Sequence, residues 1–401
     1  MSAVEKVYCR AFQYGLNAAS RFLYWRKPIL ISGAGCRRKI PELFKAIGTE
    51  RVLLVTGRHI GQSLAPGIAV DLEAAGIRCF LFAEVEANPT TATVERIVEE
   101  YKRKSCGGIL ALGGGSPIDA AKAAAALLVR PNKTLGQMAG LLKVLKKLPP
   151  LIAVPTTAGT GSETTIAAVI TDSGTRHKYA VMDIALVPRY AVLDPELTLS
   201  LPPQLTATTG MDALTHAVEA YLCVTNRTGE VDRLAEEAAG LIFTYLERTY
   251  RNGDDTEARE KLLIAANKAG FAFSRAGVGN VHAIAHTLGG LYDTAHGLAN
   301  AVILPIVLED YGHAAEKRLA RLSELCGTAR GGSDEDKAKA FIAEIRAMNE
   351  RMEIPKGFDF IREEDIPQMV AWALHEANPT YPVPVIYDEK HCADVIHTVM
   401  L

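Results

Sequence analysis

Asp212 and His216 stand four residues apart in Gly-Met-Asp-Ala-Leu-Thr-His-Ala-Val-Glu, and His282, His286 and His296 place three of the chain's ten histidines inside fifteen residues. On a helix, residues four apart share a face, with Cβ atoms about 5–6 Å from each other. Both side chains can then reach one ion at metal–ligand distances of about 2 Å. Leu214, Ala217, Val218 and Tyr221 recur at helical period around the pair. Taken alone, an Asp/His pair of this kind is more often a solvated helix face or a local hydrogen bond. Histidines in an Ala, Ile and Leu setting are different, because a buried imidazole needs a partner, and one shared ion answers for several at once. Asp212, His216, His282 and His296 are therefore candidate ligands of a single divalent ion, and one carboxylate with three neutral imidazoles suits Fe(II) or Zn(II). His286 lies one helical turn beyond His282 and is offset from that set. An imidazole that titrates near neutrality suits a proton relay; packing is the plainer alternative.

Two further segments have the composition of phosphate-binding turns. Ile109-Leu-Ala-Leu-Gly-Gly-Gly-Ser-Pro-Ile-Asp-Ala-Ala-Lys122 runs from an apolar strand pattern through Gly113, Gly114 and Gly115 into an Ala-rich helix. Glycines let a backbone approach a ligand closely, and a helix N-terminus offers N–H groups and partial positive charge to an anion. This is neither Gly-x-Gly-x-x-Gly nor a P-loop, and glycines packing a tight turn would look similar. Val154-Pro-Thr-Thr-Ala-Gly-Thr-Gly-Ser-Glu-Thr-Thr165 follows a second strand pattern and offers small residues, hydroxyls and amides. Two such loops at strand ends point to a dinucleotide site.

The elements that must position these groups fall into two textures. Val52–Thr56, Arg78–Phe82, Gly108–Leu112, Leu151–Val154 and Tyr190–Leu193 read as buried strands, and helical patterns run from Ile60 to Ala75 and from Thr91 to Lys104. Strands separated by helices imply a parallel sheet with crossovers. Ile29–Ser32 adds an edge strand, and Ala167–Thr171 with Lys178–Met182 a smaller hairpin. Beyond Leu201-Pro-Pro203 only helical periodicity remains, with breaks expected near Asn226, Gly253, Gly277, Pro305, Gly331 and Pro355. The expected division is an α/β dinucleotide-binding domain over 1–201 and an all-helical metal and substrate domain over 202–401, with the active site where they meet.

The totals are those of a soluble globular protein: 401 residues, 48% hydrophobic, 22% charged, formal net charge −2. That balance argues against nucleic acid as a partner. Seven cysteines without a Cys-x-x-Cys suit free thiols in a reducing compartment. Glu5, Lys6 and Arg10 interrupt the N-terminus before a signal-peptide core develops, and no run reaches the roughly eighteen apolar residues of a membrane span. A cytoplasmic location and no membrane partner are expected.

With Gly-Gly-Gly-Ser-Pro-Ile-Asp (113–119), Pro-Thr-Thr-Ala-Gly-Thr-Gly-Ser-Glu (155–163), Gly-Met-Asp-Ala-Leu-Thr-His-Ala-Val-Glu (210–219) and the His282/His286/His296 segment in order, the chain resembles the iron-containing (group III) alcohol dehydrogenases over roughly 28–400. The resemblance implies a dehydroquinate synthase-like architecture and NAD(P)-dependent interconversion of small alcohols with aldehydes or ketones, in a homodimer. Carried over by motif, it makes Asp212, His216, His282 and His296 the ligands of Fe(II), with Zn(II) the alternative, and His286 a non-ligand proton-transfer residue. Gly114, Gly115 and Ser116 would hold the pyrophosphate, Asp119 of the same motif would be a further cofactor-binding residue, Asn88, Thr156 and Thr157 would contact the cofactor, and Lys178 would reach its ribose region. Two positions depart from the family pattern. Arg275 stands where Asn is common, and Gly57-Arg58 replaces the acidic residue that many NAD-preferring relatives place after the first full strand. Gly57 repels no 2′-phosphate and Arg58 attracts one, so NADP stands beside NAD. A glycerol dehydrogenase-like enzyme and a hydroxyacid–oxoacid transhydrogenase are the alternatives on the same scaffold.

Overall fold

A computed structural model describes all 401 residues. Its strands are β1 (Ile29–Ser32), β2 (Arg51–Val55), β3 (Arg78–Phe82), β4 (Gly108–Gly113), β5 (Gly140–Leu141), β6 (Leu151–Pro155), β7 (Ala167–Thr171), β8 (Lys178–Met182) and β9 (Tyr190–Leu193). Its first helices are α1 (Ala3–Ser20), α2 (Ile40–Ile47), α3 (Arg58–Ser63), α4 (Ala65–Ala74), α5 (Thr91–Arg103), α6 (Gly115–Val129) and α7 (Leu135–Met138). The remainder is helical: α8 (Pro203–Leu222), α9 (Gly229–Arg251), α10 (Thr256–Ala276), α11 (Asn280–Tyr292), α12 (His296–Tyr311), α13 (Glu316–Cys326), α14 (Asp334–Arg351), α15 (Ile366–Ala377) and α16 (Glu389–Val399).

Six strands form one parallel sheet in the order β1-β9-β6-β4-β2-β3, and β5, β8 and β7 form a small second sheet. Side chains alternate along a strand, and the sheet uses both faces. Leu53, Val55, Ile109, Ala111 and Ala153 enter one core with α5 and α6. Val52, Leu54, Leu110, Leu112, Ile152 and Val154 enter the other with α2 and α4. Burial on both faces is why these strands read as unbroken apolar runs. The α/β and all-helical architecture expected from the sequence is the one observed.

Three local expectations need correction. The helical pattern from Ile60 to Ala75 is two helices, α3 and α4, parted at Leu64 because Pro66 sits in the first turn of α4, where its missing N–H costs nothing. The break expected near Pro305 does not occur: α12 runs through it. Pro305 leaves the carbonyl of Ala301 without its helical donor, and Asn349 Nδ2 donates to that oxygen at 2.7 Å. The two-residue β5 was not anticipated.

The chain forms two compact units. One comprises Tyr24–Leu201 with Asp254–Asn267, and the other Met1–Leu23, Pro202–Gly253 and Lys268–Leu401. Helix α1 opens with a capping box between Ser2 and Glu5. It is tied within its unit by Arg10, which donates to Pro384 O at 2.9 Å, and by Gln13 Nε2, which donates to Pro379 O and Tyr381 O at 3.1 and 2.8 Å. No helix is long and apolar enough to cross a membrane.

Candidate metal centre and cofactor loops

Helices α8, α11 and α12 of the helical unit bring Asp212, His216, His282 and His296 together, each offering one ligand atom, all within 4.8 Å of one another. His296 Nε2 lies 3.4 Å and His282 Nε2 4.0 Å from Asp212 Oδ1. The approach of α12 to α8 depends on Gly297, where an added Cβ would stand 2.5 Å from Thr208 O and 3.4 Å from Asp212 Cβ. No other residue could follow His296 at that separation. Similarly, a Cβ on Gly279 would stand 2.7 Å from Glu219 Oε1, so the start of α11 closes on α8 through a glycine.

Burial is uneven around the cluster. Asp212, His216 and His282 are buried, whereas the His296 side chain is 38% exposed and that of His286 41%. Burial first, and then the neighbouring imidazoles of His216, His296 and His286, hold His282 well below its usual pKa and so keep it neutral. A neutral imidazole has the lone pair that a metal needs. Three of the four candidate ligands are thus buried, and the fourth, His296, is partly exposed beside His286.

Two residues that the sequence reading passed over complete the surroundings. Glu219 Oε2 lies 2.5 Å from His282 Nδ1, and its Oε1 accepts the Val281 N–H at 2.8 Å. Burial pushes Glu219 up to about 8, opposed by the N–H groups of Gly279, Val281 and His282. When Glu219 is ionised and accepts from the Nδ1–H, the Nε2 lone pair of His282 is left for the ligand set. Asn300 is fully buried, one turn after His296, and its Nδ2 donates to Asp212 Oδ1 at 2.7 Å. Both had a spacing signal: Glu219 is seven residues after Asp212 and three after His216, on their face of α8, and Asn300 is four after His296.

His286 stacks on His296 with ring centroids 5.2 Å apart, and its Nδ1 lies 2.7 Å from Glu376 Oε1. That carboxylate also accepts the Tyr381 hydroxyl at 2.6 Å. Burial alone would raise Glu376, but His286 and the hydrogen bonds from His286 and Tyr381 outweigh it and hold the group below its ordinary value. Phe273 stacks on His216 at 4.1 Å.

The candidate cofactor residues belong to the other unit, and those at 57, 114–116 and 156–157 follow the carboxyl ends of neighbouring strands of the main sheet. β6, β4 and β2 are neighbours and parallel, so Thr156 and Thr157, Gly114 to Ser116, and Gly57 follow three adjacent strand ends. Ligand sites of open parallel sheets lie at such carboxyl ends. Ser116 Oγ donates to Ala87 O, which ties the turn before Asn88 to the start of α6. A Cβ on Gly115 would stand 2.9 Å from Thr160 Cγ2, and one on Gly114 3.2 Å from Thr157 Oγ1, so the two loops pack directly together. Asp119 serves inside this unit: its carboxylate accepts from Ser162 Oγ at 2.5 Å and from the Val169 N–H at 3.0 Å. Lys122 is fully buried and donates to Ser162 Oγ, Thr165 O, Thr165 Oγ1 and Ala167 O at 2.9–3.1 Å. Asp119 and Lys122 thus fasten the second loop to α6. Lys178 lies on β8, paired with Thr171 of β7.

Residues 28–195 match the model of the iron-containing alcohol dehydrogenases, and residues 206–400 that of the Fe-containing alcohol dehydrogenase family, C-terminal. The chain belongs to the iron-containing alcohol dehydrogenase family. The NAD-dependent methanol dehydrogenase of Bacillus methanolicus is 36% identical over 373 residues, covering 92% of this chain and 97% of that one. The 1,3-propanediol dehydrogenase of Klebsiella pneumoniae is 38% identical over 347 residues, covering 84% and 89%. A crystal structure of a 1,3-propanediol oxidoreductase superposes with a TM-score of 0.91 at 34% identity, covering 95% of this chain and all of that one. This iron-containing alcohol dehydrogenase family member is an oxidoreductase with a candidate metal site built from its own Asp and His residues.

Proposed function

We propose that the chain is a metal-dependent, NAD(P)-linked alcohol dehydrogenase that also reduces the corresponding aldehydes and ketones. The observation that carries this is the convergence of one carboxylate and three imidazoles, three of the four buried and the fourth partly exposed. The donor set fits a divalent ion: the burial that keeps His282 neutral, the Glu219 carboxyl behind its Nδ1, and the mixed O and N atoms suit Fe(II) or Zn(II). In this reading Asp212, His216, His282 and His296 hold the ion, which supplies Lewis acidity, while the nicotinamide supplies or takes the hydride.

The chain's own residues do the rest. Asp212 brings the negative charge, and Glu219 fixes the ring of His282. His286 holds a proton beside His296, with Glu376 and Tyr381 orienting its Nδ1. The glycines of 113–115 and the N-terminus of α6 receive the pyrophosphate, with Thr156, Thr157 and Asn88 around it, and Lys178 contributes toward the ribose. Asp119 supports the second loop from below. The substrate is a small alcohol, in keeping with the methanol and propanediol named for the relatives.

Gly57 and Arg58 follow β2 without a carboxylate between them, so the 2′-phosphate of NADP meets no repulsion there and a guanidinium nearby. Steady-state rates on a panel of short aldehydes, with NADH and NADPH in turn, test the reading. Turnover with NADPH at least comparable to that with NADH is expected, and Arg58→Ala should weaken NADPH about tenfold while leaving NADH unchanged. No hydride transfer to any aldehyde, from either cofactor, with iron- or zinc-loaded protein, would overturn the function.

A further inference from the structure

Asn300 touches three of the four candidate ligands. Its Nδ2 is 2.7 Å from Asp212 Oδ1 and 3.1 Å from each Nε2 of His282 and His296. It is fully buried, and its Oδ1 has no hydrogen-bond partner. An amide that leaves one end unsatisfied in a buried position is costly, so the position is held for what the other end does. Leucine has the same number and branching of side-chain heavy atoms but no polar group.

We infer that Asn300 is a positioning residue of the metal centre: its amide N–H fixes the Asp212 carboxylate, and so sets which oxygen and which direction Asp212 presents to the ion. The inference rests on the proposed metal site and adds to it the residue that orients the only anionic ligand. The physical reason is geometric. An aspartate has two oxygens and a side chain free to turn about its last bond. Within the cluster, the Nδ2 donation at 2.7 Å is the hydrogen bond that singles out Oδ1. The donor comes from α12, the helix that also carries His296, so one hydrogen bond sets the α8 ligand relative to the α12 ligand. Nothing in this requires Asn300 to gain or lose a proton. A substitution at 300 removes the donation to Asp212 together with the 3.1 Å contacts to His282 and His296.

The test is metal binding by the full chain, measured by titration of Co(II) and Zn(II) into chelator-treated protein, with the visible Co(II) spectrum as a report on ligand arrangement. Asn300→Leu keeps the branching and removes the donor; Asn300→Ser supplies a hydroxyl donor but not the reach. Thermal unfolding in chelator shows whether each variant is folded. Both variants are expected to bind about 10- to 100-fold more weakly than wild type, with shifted Co(II) bands. His282→Ala, which removes a ligand, should weaken binding by more than about 100-fold. Wild-type affinity and an unchanged Co(II) spectrum in both Asn300 variants, with binding weakened in His282→Ala, would overturn the inference and leave the metal site intact. A wild-type chain that takes up neither ion would overturn the proposed function itself. If Asn300→Leu fails to fold, Asn300→Ser decides alone by the same two readouts.

Discussion

At the scale of single residues, His282 and His286 differ sharply in surroundings although they stand one turn apart on α11. His282 is buried, neutral and backed by Glu219, with its Nε2 in the ligand cluster. His286 is partly exposed, faces Glu376, and stacks on His296 from outside the set. His282→Ala should therefore weaken metal binding by more than about 100-fold, since losing a ligand costs more than losing the group behind it. His286→Ala should keep the metal and lose turnover, by about 100-fold if it handles a proton in the rate-limiting step. Metal analysis of the two purified variants beside their rates checks this, and equal metal loss in both would refute the assignment. The sequence carried this distinction only in part. Spacing marked the five residues, but the burial difference between His282 and His286 arises from the helices packed around α11, which no local pattern encodes. Glu219 and Asn300 shared helical faces with the ligands and were legible in principle. Their types, an acid and an amide, are too common on helices to stand out without the fold.

At the scale of elements, glycines set how closely helices meet. Gly297→Ala forces a Cβ to within 2.5 Å of a backbone oxygen on α8, which cannot step aside as a side-chain tip can. We expect a lower melting temperature and weaker metal binding together, because the contact displaced is the one joining Asp212 to His296. Gly240→Ala on α9, where nothing lies within 4 Å, is the control; it should be neutral or stabilising by up to about 1 kcal/mol. Calorimetry on the two variants distinguishes crowding from helix propensity. In the α/β unit, Lys122 ties the loop after β6 to α6. Burial lowers it to about 8 from the 10.5 of a free lysine, with Asp119 and Glu163 opposing that shift. Between those values the unfolded chain holds a proton that the folded chain has released, so this group's contribution to stability rises with pH. Lys122→Met should be destabilising at pH 7, and its deficit against wild type should widen from pH 8 to 10.5 by at most about 1.4 kcal/mol per unit. Denaturant unfolding across that range checks it; a deficit that shrinks with pH would contradict the burial argument. The strands were legible because double-sided burial writes them as apolar runs. The continuity of α12 through Pro305 was not, because the donor that replaces the missing N–H is Asn349, 48 residues beyond the Ala301 carbonyl it serves.

For the molecule as a whole, two chemistries share one chain: a parallel sheet whose adjacent strand ends carry glycine and threonine loops, and a helical unit with an Asp/His cluster. The change of texture at Pro202 was visible in the sequence because buried strands give way to 3.6-residue periodicity there. Two memberships were not. Met1–Leu23 belongs to the helical unit, and Asp254–Asn267 to the α/β unit. The first depends on Arg10 and Gln13 finding carbonyls at Pro379, Tyr381 and Pro384, and the second splits a single continuous helix, α10. Neither leaves a mark in local composition. The central claim is that the Asp212, His216, His282 and His296 cluster holds the ion on which hydride transfer depends. Its most direct test is one titration: strip the full-length protein with a chelator, verify metal removal by elemental analysis, and follow NAD(P)H oxidation by a short aldehyde as Fe(II) or Zn(II) is returned. The account predicts negligible turnover in the stripped protein and recovery that saturates at about one ion per chain, with no recovery in His282→Ala. Full turnover by protein verified as metal-free, or recovery in His282→Ala equal to wild type, would contradict it.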